Sequence, residues 1–187
     1  MTASIHAEPG WLAAWASKGT SPDEALDHFD SLPGATSAEL IDRWCGYTLP
    51  TGHPLDGLLE ILGWDGKEVL PDGRVHPLLF RRAAGRVIAL DPAWMPTGVA
   101  LHWPALARSR ATRTTLLALA PWLQARGPAA RIEIRSFRGQ RGAAIIYSRQ
   151  PIVDHLRRLD ADRLLGLMER QGMAVPYFFL LSRDPRH

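Results

Sequence analysis

The chain has 187 residues, 46% of them hydrophobic, and a formal net charge of +3. This composition can fill a buried core, so a wholly disordered chain is excluded. No apolar run approaches the roughly 20 residues of a membrane-spanning helix, no secretory signal is visible, and Cys45 alone cannot form an intrachain disulfide. We therefore expect a cytoplasmic protein without a membrane span.

The N-terminal segment is predicted to be helical. Trp11 and Trp15 lie four residues apart, which suits a short helix or an arm docked on the body of the protein. A second helix is predicted to begin after Ser21, because Ser21 can cap it and Glu24 completes a capping box. Residues 1–38 are accordingly predicted to form an N-terminal helical extension.

The first strand is predicted over residues 39–48. Alternation places Asp42, Trp44, Gly46 and Thr48 on one face of this strand. A tryptophan followed two residues later by glycine suggests a bulky ring that plugs one end of a small β-barrel.

The rest of the chain alternates short apolar runs with turn residues. About nine strands at this spacing, without long crossovers, predict a mainly β protein, an all-β sandwich or barrel with inserted helices rather than a parallel sheet. We expect a single barrel domain over 39–187, with halves 39–91 and 92–187 and a helical insertion at 104–125. The further predicted strands are 64–70, 74–82, 85–91, 130–137, 142–148, 151–159, 162–169 and 176–183.

Several classes of functional site are disfavoured by the sequence. It contains no phosphate-binding loop, no paired zinc-ligand cysteines and no Gly-x-Ser-x-Gly elbow, so no cofactor is predicted. No two histidines have the i, i+4 spacing of a helical metal motif, so no metal site is predicted. The arginines are scattered over strands and turns, which argues against a nucleic-acid-binding stripe.

His53 is the first catalytic candidate. It lies in a turn between Gly52 and Pro54, and an imidazole that titrates near neutrality suits proton transfer. The alternative is a turn histidine that hydrogen-bonds to the local backbone or caps the next helix.

Asp154 is the second catalytic candidate. It shares one face of its predicted strand with Ile152 and Leu156. A carboxylate on an apolar face is either a general acid or base, or the partner of a buried arginine such as Arg158 or Arg43.

Tyr147 is the third catalytic candidate, because it alternates with Ala143 and Ile145 and so points into the barrel. Most such tyrosines only pack and make one hydrogen bond.

The ligand-binding candidates also have alternative interpretations. For the tryptophans the alternative is core packing, and for the lysine it is an exposed strand position. His76 is expected to share one face of its strand with Leu78 and Phe80. The ligand-binding candidates are Asp42, Trp44, Trp64, Lys67, His76, Trp94 and Trp103.

Four short segments match motifs of a known domain family. The segments are Arg43-Trp44-Cys45-Gly46, Leu49-Pro50-Thr51-Gly52-His53-Pro54, Gly63-Trp64-Asp65-Gly66-Lys67 and Pro151-Ile152-Val153-Asp154-His155. On these motifs, residues 39–90 resemble the GxWxG domain. Residues from about 92 to 184 resemble the domain of unknown function that commonly follows it in bacterial proteins. One departure is that Asp42 stands where the first glycine of the motif is expected.

The resemblance implies a mainly β fold, a lipocalin-like antiparallel barrel around a cavity for a small apolar molecule. A lyase that acts on alpha-pinene oxide without a cofactor is similar to this family. We therefore expect a cofactor-independent lyase or isomerase that acts on a small hydrophobic, terpenoid or epoxide-like substrate by acid–base chemistry. The alternatives are a carrier of an apolar ligand and, less favoured, a haem-binding barrel with a histidine ligand. The sequence does not decide whether the protein forms a homodimer.

Overall fold

The computed structural model describes residues 9–82, 85–94, 105, 108–119 and 122–186. Within these residues, none of the helices combines the length and the apolar character needed to traverse a bilayer. The α-helices are α1 Gly10–Lys18, α2 Pro22–Ser31, α3 Ser37–Leu40, α4 Leu58–Leu62 and α5 Arg110–Leu119.

Nine strands in the described part of the chain form one sheet, and every pairing between them is antiparallel. The strands are β1 Asp42–Leu49, β2 Trp64–Val69, β3 Arg74–Arg81, β4 Val87–Ala89, β5 Ala130–Phe137, β6 Gln140–Tyr147, β7 Ile152–Arg158, β8 Arg163–Arg170 and β9 Tyr177–Arg183.

The sheet closes on itself. Its strand order is β2-β1-β9-β8-β7-β6-β5-β3-β4, and β2 also pairs with β3. This extra pairing closes eight strands into a barrel and leaves β4 beside the far end of β3. The predicted antiparallel barrel, with N-terminal helices and an inserted helix, is therefore confirmed.

The first strand starts later than predicted. Thr36 caps a short helix and Glu39 closes a reciprocal capping box, so residues 37–40 form α3 instead of extended chain. The side chain of Glu39 accepts the Thr36 backbone N–H at 2.7 Å. Local capping thus delays β1 until Asp42.

Two separate apolar cores lie on the two faces of the barrel wall. The interior core includes Trp44, Ile145 and Phe179, whereas the outer core packs α1 and α2 against β8 and β9. In the outer core, Trp15 meets the edge of Phe178 at a ring distance of 5.3 Å. The Trp15 indole N–H also donates to the Pro50 carbonyl at 3.0 Å. The N-terminal helices are therefore docked on the outside of the barrel and leave its interior to the strands.

Aromatic rings fill much of the interior, and two glycines make room for them. A Cβ on Gly46 would lie 2.3 Å from the Trp64 ring, and a Cβ on Gly166 would lie 2.2 Å from the Phe179 ring. The Trp64 and Phe179 rings meet edge to face at 6.1 Å. Close packing of this kind requires glycine at both strand positions.

Two irregularities in β2 and β3 decide which side chains point inward. The pairing between these strands shifts register between Trp64 and Gly66, and again between Gly66 and Glu68. Gly66 has φ +136, and a Cβ there would lie 1.8 Å from the Trp44 carbonyl oxygen. Because the shift interrupts simple alternation, both Trp64 and Lys67 are buried.

Candidate functional site

Lys67 lies in the barrel interior with only 3% of its surface exposed. Its ammonium group donates to Tyr147 Oη at 3.0 Å and to the Pro77 carbonyl at 3.2 Å. Nζ also lies 2.9 Å from Asp154 Oδ2. These three contacts use all three donors of the ammonium group. An exposed strand position, the alternative for this lysine, is therefore wrong.

Asp154 is fully buried, and it shares the interior face of β7 with Ile152 and Leu156 as predicted. Its Oδ2 accepts the Tyr147 hydroxyl at 3.0 Å in addition to the Lys67 contact. Its Oδ1 is also buried and has no hydrogen-bond partner among the described residues. A buried carboxylate oxygen without a donor is costly, so this atom is the unsatisfied acceptor of the cluster.

The predicted arginine partners of Asp154 are wrong. Arg158 pairs with Glu39 at 2.8 Å, on the surface of the protein. Arg43 instead contacts Asp65 at 2.8 Å and Asp184 at 3.3 Å. The charge that balances Asp154 is supplied by Lys67.

Three aromatic rings surround the Lys67 ammonium group. Nζ lies 4.9 Å from the centre of the Phe179 ring and 5.6 Å from the centres of the Trp64 and Tyr147 rings. Ring faces at these distances attract a cation. The same surroundings exclude water, so a positive charge near Nζ is stabilised by one carboxylate and by aromatic faces.

The Tyr147 hydroxyl links the two charged groups. Burial raises the pKa of the Tyr147 phenol well above its usual value, and the neighbouring Asp154 charge raises it further. The phenol therefore remains protonated, accepts from Lys67 and donates to Asp154. Lys67, Asp154 and Tyr147 together form one hydrogen-bonded group, the interior cluster.

His53 is buried but is held by the backbone. Its Nδ1 accepts the Leu55 N–H at 3.1 Å, and the ring also makes a hydrogen bond to the Val175 backbone. Its own backbone N–H donates to Asp56 Oδ2 at 2.8 Å. Burial lowers the pKa of the His53 imidazole, which favours the neutral ring. This geometry is that of the turn histidine weighed as the alternative.

Tyr177 connects the turn at His53 with the aromatic interior. The His53 and Tyr177 rings are 5.6 Å apart, and the Tyr177 and Phe179 rings stack at 6.4 Å. The Tyr177 hydroxyl forms a short hydrogen bond with Thr48 Oγ1. His53 thus reaches the interior cluster through two rings and not by a direct hydrogen bond.

Two family models match this chain. The model described as "GXWXG protein" matches residues 27–85, and the model described as "Domain of unknown function (DUF4334)" matches residues 128–183. The chain therefore contains a GXWXG domain at residues 27–85. The GXWXG domain is followed by the domain of unknown function, as the sequence resemblance predicted.

The interior cluster draws on both domains. Lys67 comes from the GXWXG domain, whereas Tyr147 and Asp154 come from the second domain. A crystal structure of a protein from Thermomonospora curvata is similar, with a TM-score of 0.66 and 26% identity over 93% of this chain and 96% of that chain. No curated protein matches the chain.

The motif of the GXWXG domain lies at one end of the barrel. Asp42, in place of the first glycine, pairs with Arg183, and the Arg183 guanidinium lies 4.7 Å from the centre of the Trp44 ring. The Trp44 indole N–H donates to the Leu40 carbonyl at 2.8 Å, and the side chain is 1% exposed. Trp44 therefore plugs this end, and Asp42 holds the arginine that covers it.

Two of the remaining ligand-binding candidates, His76 and Trp94, lie away from the interior cluster. His76 pairs with Glu68 across the strands and so faces away from Val75, which belongs to the interior core. Its predicted face, shared with Leu78 and Phe80, is wrong because β3 shifts register after it. Trp94 is 62% exposed and does not line the interior. Trp103 lies outside the described residues.

The described residues provide few side chains that could act together as ligands of a metal ion. Among them, no three His, Cys, Asp or Glu side chains converge in a way that could bind one. The interior cluster has a single carboxylate, and its only other ionisable groups are an amine and a phenol. The chemistry these residues can supply is proton transfer and, through the amine, nucleophilic attack.

Proposed function

We propose that this protein is a cofactor-independent lyase or isomerase that acts on a small hydrophobic molecule with a reactive oxygen, such as a terpenoid epoxide. One observation carries the proposal. An acid, the Lys67 ammonium group, and a base, the Asp154 carboxylate, lie 2.9 Å apart inside an apolar barrel. One oxygen of that carboxylate has no hydrogen-bond donor within the described residues.

In the first step, Lys67 protonates the strained oxygen of the substrate. The oxygen would take the place of the Pro77 carbonyl, which is the weakest of the three Lys67 partners by distance. Opening of the epoxide leaves positive charge on carbon. The rings of Phe179 and Trp64 would stabilise this charge, and their apolar surroundings favour rearrangement over hydrolysis.

In the second step, Asp154 removes a proton from the carbon next to the cation. Its Oδ1 is the atom free to accept it. Asp154 then returns a proton to Lys67, directly or through the Tyr147 hydroxyl. An isomerisation takes up no proton overall, so this transfer restores the starting state of both groups.

We assign His53 a positioning role in this scheme. Both of its ring nitrogens are engaged by the backbone, and the ring packs against Tyr177. Such a residue would hold the turn before α4 against the chain segment that leads into β9. The catalytic assignment therefore moves to Asp154, Tyr147 and Lys67.

A carrier of an apolar ligand is the second candidate. It is favoured by the observation that Lys67 has all three of its donors satisfied, as a purely structural ion pair would. Haem fits less well, because the His53 nitrogens are engaged by the backbone and His76 faces away from the interior core.

The test is to incubate the wild-type protein with alpha-pinene oxide and other small epoxides in deuterium oxide. Products are extracted and analysed by gas chromatography and mass spectrometry. The proposal predicts an isomeric product formed without hydrolysis, in which no carbon carries deuterium from the solvent, because the scheme removes a proton from carbon and returns none to it. Recovery of unchanged epoxide bound to the protein would favour the carrier, and a diol product would contradict the proposal.

A further inference from the structure

The amine of Lys67 has surroundings that its use as a simple acid does not require. It is one of only two lysines in the chain, the other being Lys18, which lies exposed at the end of α1. Nζ of Lys67 lies between a carboxylate and three aromatic rings in the barrel interior. A cation at this position would be stabilised whether or not it is an ammonium ion.

We propose that Lys67 forms a covalent imine with the carbonyl carbon of a hydrophobic aldehyde bound in the barrel. The bond would join Nζ to that carbon, and Asp154 would be the counter-ion of the protonated imine. This activity uses the interior cluster, but it depends on the amine as a nucleophile and not on turnover of an epoxide.

The first step is proton transfer from Nζ to Asp154 Oδ2 across the 2.9 Å contact. This transfer converts a charged pair into a neutral amine and a neutral acid, a change that apolar surroundings tolerate better than water does. The amine then attacks the carbonyl carbon. The Asp154 carboxyl, aided by the Tyr147 hydroxyl, gives a proton to the oxygen that develops there.

The second step is loss of water. One further proton moves from nitrogen to oxygen, the carbon–oxygen bond breaks, and the nitrogen lone pair forms the double bond. Overall, the ammonium ion and the aldehyde give a protonated imine and one water molecule, with the Asp154 carboxylate unchanged. Atoms and charge balance without an oxidant, a reductant or a metal.

The product fits the charges of the interior cluster. A protonated imine carries the same single positive charge as the ammonium ion that it replaces, so Asp154 remains balanced. The rings of Phe179, Trp64 and Tyr147 already face this charge at 4.9 to 5.6 Å. A ligand with an apolar body would extend among the interior side chains, which sets the class as hydrophobic aldehydes.

Reductive trapping tests the proposal. The wild-type protein is incubated with trans-cinnamaldehyde and sodium cyanoborohydride, then digested and mapped by mass spectrometry. A trapped imine adds the mass of the aldehyde less that of one oxygen atom. Because the chain has two lysines, the peptides that contain Lys18 and Lys67 report directly on site selectivity without any substitution. Glyoxylate, a charged aldehyde, serves as the matched control probe.

We expect cinnamaldehyde to modify Lys67 at least about ten-fold more than Lys18, since burial in apolar surroundings is a setting in which lysine amines act as Schiff-base nucleophiles. Glyoxylate should show the reverse preference. The Lys18→Arg variant should keep the Lys67 adduct, and Lys67→Arg should lose it. Cinnamaldehyde adducts on Lys18 or the N-terminus alone would overturn the proposal. Epoxide turnover that persists in that case would leave the proposed function standing, so the two failures are distinguishable.

Discussion

Lys67 and Asp154 meet in the centre of the barrel from strands that lie opposite each other. Their strands β2 and β7 are four positions apart in either direction around the eight-stranded ring. Nζ and Oδ2 are nevertheless separated by only 2.9 Å. The pair thus connects the GXWXG domain to the second domain through the interior.

The contributions of Lys67 and Asp154 to the free energy of unfolding should depend strongly on each other. Lys67→Met leaves a buried carboxylate without its balancing charge, which typically costs about 3–5 kcal/mol. Replacing both residues, as in Lys67→Met with Asp154→Leu, should recover most of this loss. Urea unfolding of the wild type, both single variants and the double variant measures the coupling, and additive losses would contradict it.

The interior glycines should tolerate no added methyl group. Gly166→Ala places a Cβ against the Phe179 ring and should destabilise the protein by about 1–3 kcal/mol, as overpacking does. Gly46→Ala should behave in the same way against Trp64. Gly10→Ala is the matched control, because nothing lies within 4 Å of its Cβ. Thermal unfolding midpoints test this, and equal effects at Gly166 and Gly10 would refute it.

Acid should destabilise the fold through buried neutral histidines. Burial lowers the pKa of His53 and of His155, so the unfolded chain binds more protons than the folded chain below the usual histidine pKa of about 6.5. Stability is therefore fully present above that pH and is lost as pH falls through it. Unfolding midpoints between pH 7.5 and 5 should decrease, and less steeply in the His53→Asn, His155→Asn double variant.

Carboxylates act in a different pH window. Hydrogen bonds from Arg186 hold the pKa of Asp184 down to about 2, so its contribution is present above the usual aspartate pKa and is lost only in stronger acid. A double histidine variant whose midpoints keep the wild-type slope between pH 7.5 and 5 would contradict the histidine assignment.

Asp42 should contribute less to the free energy of unfolding than Arg183, its ion-pair partner. Its ion pair with Arg183 is partly exposed, so Asp42→Gly, which restores the family motif, should cost less than about 1 kcal/mol. Arg183→Met should cost more, because Arg183 also covers Trp44 and contacts Asp162. Chemical unfolding of both variants decides the order, and a larger loss for Asp42→Gly would show that the carboxylate shapes the barrel end.

Regular strands made two of the three residues of the interior cluster predictable. Asp154 and Tyr147 lie on strands whose alternation is unbroken at these positions, so counting by two places them correctly beside Ile152 and Ile145. The strand β5 likewise begins at Ala130 and ends at Phe137, as its pattern predicts. Where the period of two holds, sequence and structure agree.

Lys67 could not be placed by the same counting. The register shift between Trp64 and Gly66 puts Trp64 and Lys67 on one face although they are three residues apart. A glycine between them was the available signal, since Gly66 adopts a φ of +136 that other residues avoid. His76 was misplaced by the matching shift in β3. Long-range pairing of opposite charges across a barrel has no local signature in sequence.

Acid–base chemistry at the interior cluster is tested most sharply by the rate at which variants convert the epoxide that the wild type converts fastest. We expect Asp154→Asn to lower kcat by about 10²–10⁴-fold, the usual contribution of a general base. Asp184→Asn is the matched control, since Asp184 is a similarly buried carboxylate paired with Arg43 and Arg186, away from the interior cluster. It should retain the wild-type kcat within about three-fold. Equal rates for the wild type and a folded Asp154→Asn variant would contradict the assignment of Asp154 as the base.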